Sequence, residues 1–311
     1  MTETMMREAT ISFPMFGNLT INPPAYFTVF GHDIYWYGVI LALAFLAALL
    51  WCAHRSGEFG IKEDLMYEQV LWLLPLGVLG CRIYYVAFEW DYYSQHLNEI
   101  LSIRDGGIAM YGGIIAGILF LLIWTKKKHL PLGAVLDMDA SGMLLAHSIG
   151  RWGNFMNREA FGTQTDIFCR MGLTNPGEQT IYVHPTFLYE SIWTLTGFIL
   201  LNIFLSKGKR KYDGQLFIMY IMWYGMGRSW IEGLRTDSLW LIPGVIRVSQ
   251  LVAILTALIM AAVLIIQSRR PHPPEKMFVN RAASEAKSGP EADNIDSEAE
   301  NDINKEDNTN V

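Results

Sequence analysis

Charge is what this 311-residue chain has little of: Asp, Glu, Lys and Arg together make up 17% of it, against about 25% in an ordinary soluble domain. Hydrophobic residues make up 51%, and the mean hydropathy is +0.22. This balance argues against a soluble two-domain enzyme and for a membrane protein. The net charge of −6 does not describe the body of the chain. Residues 271–311 hold ten acidic and four basic side chains, whereas the first 270 residues hold 20 of each. No nucleic-acid partner is implied by such a balance. Cysteine is equally scarce. Cys52, Cys81 and Cys169 lack C-x-x-C spacing, so neither a disulfide framework nor a metal site is suggested, and no cofactor is expected. Cys52 and Cys81 lie in apolar runs and read as small buried hydrophobes. A cleaved leader is also not expected. Glu3, Arg7 and Glu8 occupy the first residues, and the first long apolar run begins only near Ile34, which suits a retained membrane helix better than a signal core. No internal repeat is visible, in contrast to many secondary transporters. There is no Gly-x-Ser-x-Gly elbow and no His-Glu-x-x-His pair, which ranks an intramembrane protease last.

What the chain does have is long apolar runs. Seven segments, at about 34–54, 66–88, 106–125, 133–152, 186–206, 213–232 and 247–267, are each near the ~20 residues that span a bilayer. The expected fold is an all-α integral membrane protein with seven transmembrane helices. Lys126–Lys128, the basic residues at 207–211, Arg269-Arg270 and His54-Arg55 fall on one side if the helices alternate. The positive-inside rule makes that side cytoplasmic, with the N-terminus outside and the C-terminus cytoplasmic. Residues 1–33 are expected to form an interfacial arm, rich in aromatics and broken by Pro14, Pro23 and Pro24; a short hairpin packed on the helices is the alternative. Residues 34–270 would be the seven-helix transmembrane domain, with a small extracytoplasmic subdomain at about 153–185. Residues 271–311 read as a disordered acidic cytoplasmic tail.

The stretch that organises the chain is His147-Ser-Ile-Gly-Arg151-Trp-Gly-Asn154-Phe-Met-Asn157-Arg158-Glu159-Ala-Phe-Gly162. Polar and charged groups at membrane depth are functional by default, although a polar seam between helices is the plainer reading. On a helix, His147, Arg151, Asn154 and Arg158 share one face, and Glu159 is placed to pair with Arg151. Gly150, Gly153 and Gly162 permit close approach. A second constellation, Tyr224, Arg228, Glu232 and Arg235, also sits at helical spacing. Two guanidinium forks facing each other would hold an anionic headgroup; otherwise Arg228 and Glu232 form a helix-end ion pair. The glycine-rich run 106–113 contains Tyr111, and Trp36-Tyr37-Gly38 opens the first helix. Arg82 is expected to pair with an acid. Glu190 is placed to steady an arginine, and Asp137 and Asp139 to face cytoplasmic water.

Gly150-Arg-Trp-Gly-Asn-Phe-Met-Asn-Arg-Glu-Ala-Phe-Gly162 resembles the signature of the bacterial phosphatidylglycerol–prolipoprotein diacylglyceryl transferases. The arm at Phe13-Pro14, Trp36-Tyr37-Gly38, Gly80-x-Arg82, the run 106–113, His184-Pro185…Tyr189-Glu190 and Tyr224…Arg228…Glu232…Arg235 follow in the family's order. Some members carry a histidine just before the paired glycines of helix three. Tyr111 stands there, which puts a general histidine base in question. The resemblance implies transfer of diacylglyceryl from phosphatidylglycerol to the lipobox cysteine of a prolipoprotein signal peptide, among membrane lipids of the bacterial cell membrane. It implies Arg151 and Arg228 as phosphate clamps, with Asn154 and Asn157 bonding the headgroup. Glu159 and Glu232 would orient the arginines, one of them serving as base. Tyr37, Tyr111 and Tyr224 would bind headgroup or assist proton transfer, and Arg235 and Gly162 would complete the substrate site. A transporter with arginine–glutamate gates is the rival reading.

Overall fold

The computed structural model describes residues 9–17, 19–102, 106–236, 240–242 and 246–287. Among these, seven long helices carry most of the structure: α1 (Trp36–Arg55), α2 (Glu63–Phe88), α3 (Met110–Lys127), α4 (Leu132–Asn157), α5 (Thr186–Ser206), α6 (Gln215–Ile231) and α7 (Val248–Ser268). Five of them, α1, α2, α3, α5 and α7, are long and apolar enough to cross a membrane. Of the other two, α6 has only 17 residues and α4 carries Asp137, Asp139, His147 and Arg151. Val252, Leu255, Leu258, Ile259, Ile265 and Ile266 on α7 are all exposed. An apolar surface of that extent needs lipid around it. The protein is therefore a mostly helical, multi-pass membrane protein.

Eight short strands accompany the helices: β1 (Thr10–Phe13), β2 (Leu19–Ile21), β3 (Tyr26–Val29), β4 (His32–Tyr35), β5 (Met171–Thr174), β6 (Ile181–Val183), β7 (Trp240–Ile242) and β8 (Ile246–Arg247). The described chain divides into two compact units, one of residues 1–54, 136–210 and 214–271, the other of 55–135, 211–213 and 272–311.

In the first unit, residues 11–33 are not a lone arm. They supply β1 and β2 to a four-stranded antiparallel sheet of order β2-β1-β5-β6, and β3 and β4 form a hairpin of their own. Ile11 pairs with Ile21 on one side and Leu173 on the other. Alternation sends Ile11, Leu173 and Val183 inward, where they bury with Ala9, Met171 and Phe187. This joint between the N-terminal strands and residues 171–183 depends on Arg158. α4 stops at Asn157, and Arg158 takes a left-handed φ of 52°. Its guanidinium, 3% exposed, donates to the carbonyls of Ala9, Met156 and Pro23 and to Asn22 Oδ1, all at 2.7–2.8 Å. Four hydrogen bonds hold a backbone conformation that a bulky residue otherwise avoids. The expected common face with His147, Arg151 and Asn154 is thus broken at Arg158, which is a structural rivet. Arg158→Ala would leave several buried carbonyls unpaired at about 1–3 kcal/mol each. We expect the N-terminal strands to be cut early in limited proteolysis of that variant.

Two further tertiary ties shape this unit. Asp137, fully buried, does not face water as its sequence position suggested. It accepts the Gly214 and Phe217 N–H groups at 2.9 Å and pairs with Arg210 at 3.2 Å. It therefore caps the start of α6 from another helix, where a negative charge also suits the helix dipole. Nearer the opposite ends of the helices, Trp193 and Trp223 stack at 4.5 Å and each indole N–H donates to the other's carbonyl. Ser148 and Ser191 exchange hydroxyl–carbonyl bonds and lock α4 to α5.

In the second unit α2 and α3 pack through glycine. A Cβ on Gly80 would lie 2.6 Å from the Gly112 carbonyl oxygen. Small residues at such a crossing bring backbones together in lipid. Gly80→Ala is expected to cost about 1–3 kcal/mol through overpacking, read as a lower thermal midpoint in detergent. Among the described residues Arg82 finds backbone carbonyls where an acid was expected. It donates to the carbonyls of Glu99, Ile100, Gly106 and Gly107 at 2.6–3.0 Å, closing the loop before α3; Asp105 lies outside the described residues. The tail reading holds no helix, yet Phe278–Lys287 forms one. Its first N–H is capped by Asp213 at 2.9 Å, and Val279 lies against Gly60, whose φ of 76° needs glycine. Residues 288–311 of the tail lie outside the described residues.

Candidate active site

The polar cluster of the first unit is built on one carboxylate. Glu190 sits one turn inside α5 and is 5% exposed. A carboxylate so placed must be paired to stay ionised. Its Oε2 is bonded by Arg151 of α4. Its Oε1 meets Arg228 of α6 at 3.1 Å and Arg235 at 3.6 Å. Three guanidinium groups from three elements thus converge on one acid. Arg228 also reaches Glu232 at 2.5 Å, one turn on. Glu232 is 2% exposed, and its backbone carbonyl accepts from Arg247, whose guanidinium lies 4.7 Å over the Trp240 ring.

Beside this hub, Arg151 donates to Asn154 Oδ1 at 3.4 Å. The expected Arg151–Glu159 pair is replaced by an amide relay. Asn154 and Asn157 donate to the two oxygens of Glu159 at 2.9 and 3.3 Å. The spacing alone did not separate these options, because Glu159 lies beyond the end of α4, where the chain turns. Two positive-φ residues, Arg158 and Ala160, make that turn.

Gly162 carries the chain past the cluster. Its N–H donates to the His184 carbonyl at 2.9 Å, and it bridges to Arg235. A Cβ there would come within 2.6 Å of His184 Cβ and 2.9 Å of the Leu234 carbonyl. Glycine is what lets the Arg235 segment lie alongside. Burial holds the His184 imidazole below its ordinary pKa, so at neutral pH it is an uncharged neighbour. Its Nδ1 lies 3.3 Å from the Tyr189 hydroxyl. Tyr37 packs against α4, where a Cβ at Gly153 would stand 2.8 Å from its ring. Tyr224, one turn before Arg228, lies 5.2 Å from the His147 ring, centroid to centroid.

Of the residues expected at the site, Arg151, Asn154, Asn157, Glu159, Gly162, Arg228, Glu232 and Arg235 are drawn together, with Tyr37 and Tyr224 packed on the same helices. Tyr111 is different. It belongs to the second unit, at the start of α3, and is 66% exposed. Two residues gain weight. Glu190 is the hub rather than an accessory, and Arg247 joins from the start of α7. The signal for Glu190 was an acid inside an apolar helix, which requires a cation from another element. Nothing local marked Arg247.

Chemically, four arginines, Arg151, Arg228, Arg235 and Arg247, stand against three carboxylates, Glu159, Glu190 and Glu232. The cluster is one positive charge in excess, and its forks are held by acids on one side. Guanidinium forks of this kind are suited to charge-assisted hydrogen bonds with an anion's oxygens. Comparison with known proteins gives the same direction. The family model described as prolipoprotein diacylglyceryl transferase matches residues 24–266. Proteins named phosphatidylglycerol–prolipoprotein diacylglyceryl transferase are similar to most of the chain. The one from Limosilactobacillus reuteri (strain DSM 20016) is 44% identical over 247 residues, covering 77% of this chain and 89% of its own. That from Finegoldia magna is 44% identical over 239 residues, covering 77% and 92%. That from Enterococcus faecalis is 40% identical over 272 residues, covering 84% and 95%. The chain belongs to the prolipoprotein diacylglyceryl transferase family.

Proposed function

We propose that this enzyme moves the diacylglyceryl group of phosphatidylglycerol onto the lipobox cysteine of a prolipoprotein signal peptide, the first step of lipoprotein maturation. The observation that carries the reading is the convergence of Arg151, Arg228 and Arg235 on Glu190. The phosphodiester of phosphatidylglycerol brings the one negative charge that the cluster lacks. The cysteine sulfur attacks the glyceryl carbon that bears the phosphate ester. A C–S thioether forms, the C–O bond breaks, and its electrons leave with glycerol phosphate. Charge grows on the leaving phosphate, and preplaced guanidinium forks stabilise it more strongly in the transition state than in the bound lipid. The same cations lower the pKa of an approaching thiol. Arg151 and Arg228 act as the clamps. Arg235 extends them, and Glu190 and Glu232 fix their planes. Asn154 and Asn157, held by Glu159, face the headgroup with their remaining hydrogen-bonding capacity, and Tyr37 and Tyr224 wall the site.

The chain would cross the bacterial cell membrane seven times, with the N-terminus outside and the C-terminus cytoplasmic. Basic clusters at 126–128, 207–211 and 269–270 then lie inside, and the Arg151 and Arg228 helix ends lie outside. The test uses purified protein in detergent with phosphatidylglycerol and a lipobox peptide bearing one cysteine. Mass spectrometry should show the diacylglyceryl adduct, absent with a Cys→Ser peptide and with the Arg151→Ala enzyme. A folded protein that binds the lipid yet forms no adduct would defeat the reading.

A further inference from the structure

Every carboxylate of the cluster is already engaged. Glu190 is bonded by guanidinium groups, Glu232 by Arg228, and Glu159 by two amide N–H groups. The oxygens of these carboxylates already receive donors, whereas an incoming proton needs an acceptor atom that is not so engaged. Transfer to a thiol nevertheless releases a proton, and something near the attacked carbon has to accept it.

His147 is one turn before Arg151 on α4, as Tyr224 is one turn before Arg228 on α6. The two arginines form one rung across α4 and α6. His147 and Tyr224, 5.2 Å apart, form the rung next to it. Tyr220 closes the far side at 6.2 Å. The titratable and charged groups around the imidazole are thus Tyr220 and Tyr224 on α6 and Arg151 on its own helix. Neither ring nitrogen has a hydrogen-bond partner among the described residues, and Nδ1 is buried. A neutral imidazole holds one donor and one acceptor, and a buried ring nitrogen left without a partner is unfavourable. Such a group beside a binding cluster is accounted for when a substrate meets it.

We infer that His147 is the proton acceptor for the substrate thiol. This rests on the transferase reading above. The S–H proton passes to the imidazole as the sulfur lone pair forms the C–S bond and the C–O bond to phosphate breaks. The imidazolium then returns its proton to the departing glycerol phosphate or to water. The rung places the base about one helical turn (roughly 5 Å) from the phosphate clamp. The attacked carbon, directly attached to the phosphate ester oxygen, falls between them.

The test compares two peptide nucleophiles on wild type, His147→Gln and His147→Ala, with labelled phosphatidylglycerol binding measured on each. A selenocysteine peptide is already ionised at neutral pH and needs no proton acceptor. With the cysteine peptide, His147→Gln should lose about 10²–10⁴ in kcat, the usual range for general-base catalysis. With the selenocysteine peptide it should match wild type within a few-fold. His147→Ala should follow the same pattern and recover cysteine transfer with added imidazole. Equal rates of wild type and His147→Gln on the cysteine peptide would overturn the assignment. So would an equal loss on both nucleophiles, or loss of lipid binding in both variants, since either means that His147 holds the site together. If wild type itself forms no adduct, the transferase reading falls first, which is a separate outcome.

Discussion

Glu190→Gln is expected to lower diacylglyceryl transfer by about 10²–10³-fold, the size typical of losing one preorganised electrostatic element. The expectation follows from its position as a carboxylate that Arg151, Arg228 and Arg235 share. Glutamine keeps the shape and one accepting oxygen but removes the charge. Three guanidinium groups would then repel one another in a partly dry environment, and the forks would splay from the plane that a phosphodiester requires. Both terms act in the same direction, because breaking one partner of a buried ion pair also costs about 3–5 kcal/mol of stability. The two effects separate experimentally. Thermal unfolding in detergent reads the second, and kcat at saturating phosphatidylglycerol on protein shown to be folded reads the first. A Glu190→Gln enzyme within three-fold of wild type would mean that the arginines are positioned by other means. Glu159→Gln is expected to be milder, since Asn154 and Asn157 retain an amide acceptor.

Arg151→Lys is the second large effect, with an expected loss of about 10²-fold in kcat/KM and a further drop for Arg151→Ala. Lysine preserves the charge and gives up the planar fork. Arg151 uses one edge on Glu190 and another nitrogen on Asn154, so a point cation would keep one partner and lose the geometry linking them. Steady-state kinetics with the lipobox peptide checks this. Near-normal activity in Arg151→Lys would remove bidentate clamping and leave only charge neutralisation. Arg158→Lys makes a useful contrast. It lies seven residues downstream and is just as basic, but its partners are backbone carbonyls and Asn22. Its effect should appear in proteolysis and stability, with KM for phosphatidylglycerol nearly unchanged.

These two arginines show where sequence spacing stops being informative. Arg151 and Arg158 sit on one face of an uninterrupted helix, and only the left-handed turn at Arg158 sends one to the cluster and the other into the N-terminal strands. The polar segment around Arg151 and the matched segment ending in Arg235 were legible because charge at membrane depth is costly and must be used. Glu190 was legible as an acid in an apolar helix, but its rank was not, since a count of partners needs three elements in register. Asp137 looked like a residue facing water and is a buried cap for α6. Arg82 looked like half of an ion pair, and among the described residues it binds four carbonyls. In both cases backbone groups supply most of the partners, and backbone carries no identity in a sequence. The strands β1 and β2 were hidden for a related reason. β2 pairs with β1, and β1 in turn pairs with the sequence-distant β5, Ile11 opposite Leu173; a prolyl, aromatic stretch has no periodicity of its own that requires a sheet.

Composition and apolar runs by themselves determined that this chain spans a membrane with long apolar helices, and that the helix ends at Arg151 and Arg228 carry charge; the matched motifs showed which family it resembles. The tertiary structure alone decided which acid organises the arginines, that Arg158 is a rivet, and that His147 stands beside the cluster with no hydrogen-bond partner among the described residues. The division has a physical cause. Burying apolar surface depends on composition and period, which are local to each segment. The state of a buried charge depends on what lies within about 4 Å of it, and in this fold those neighbours come from other helices.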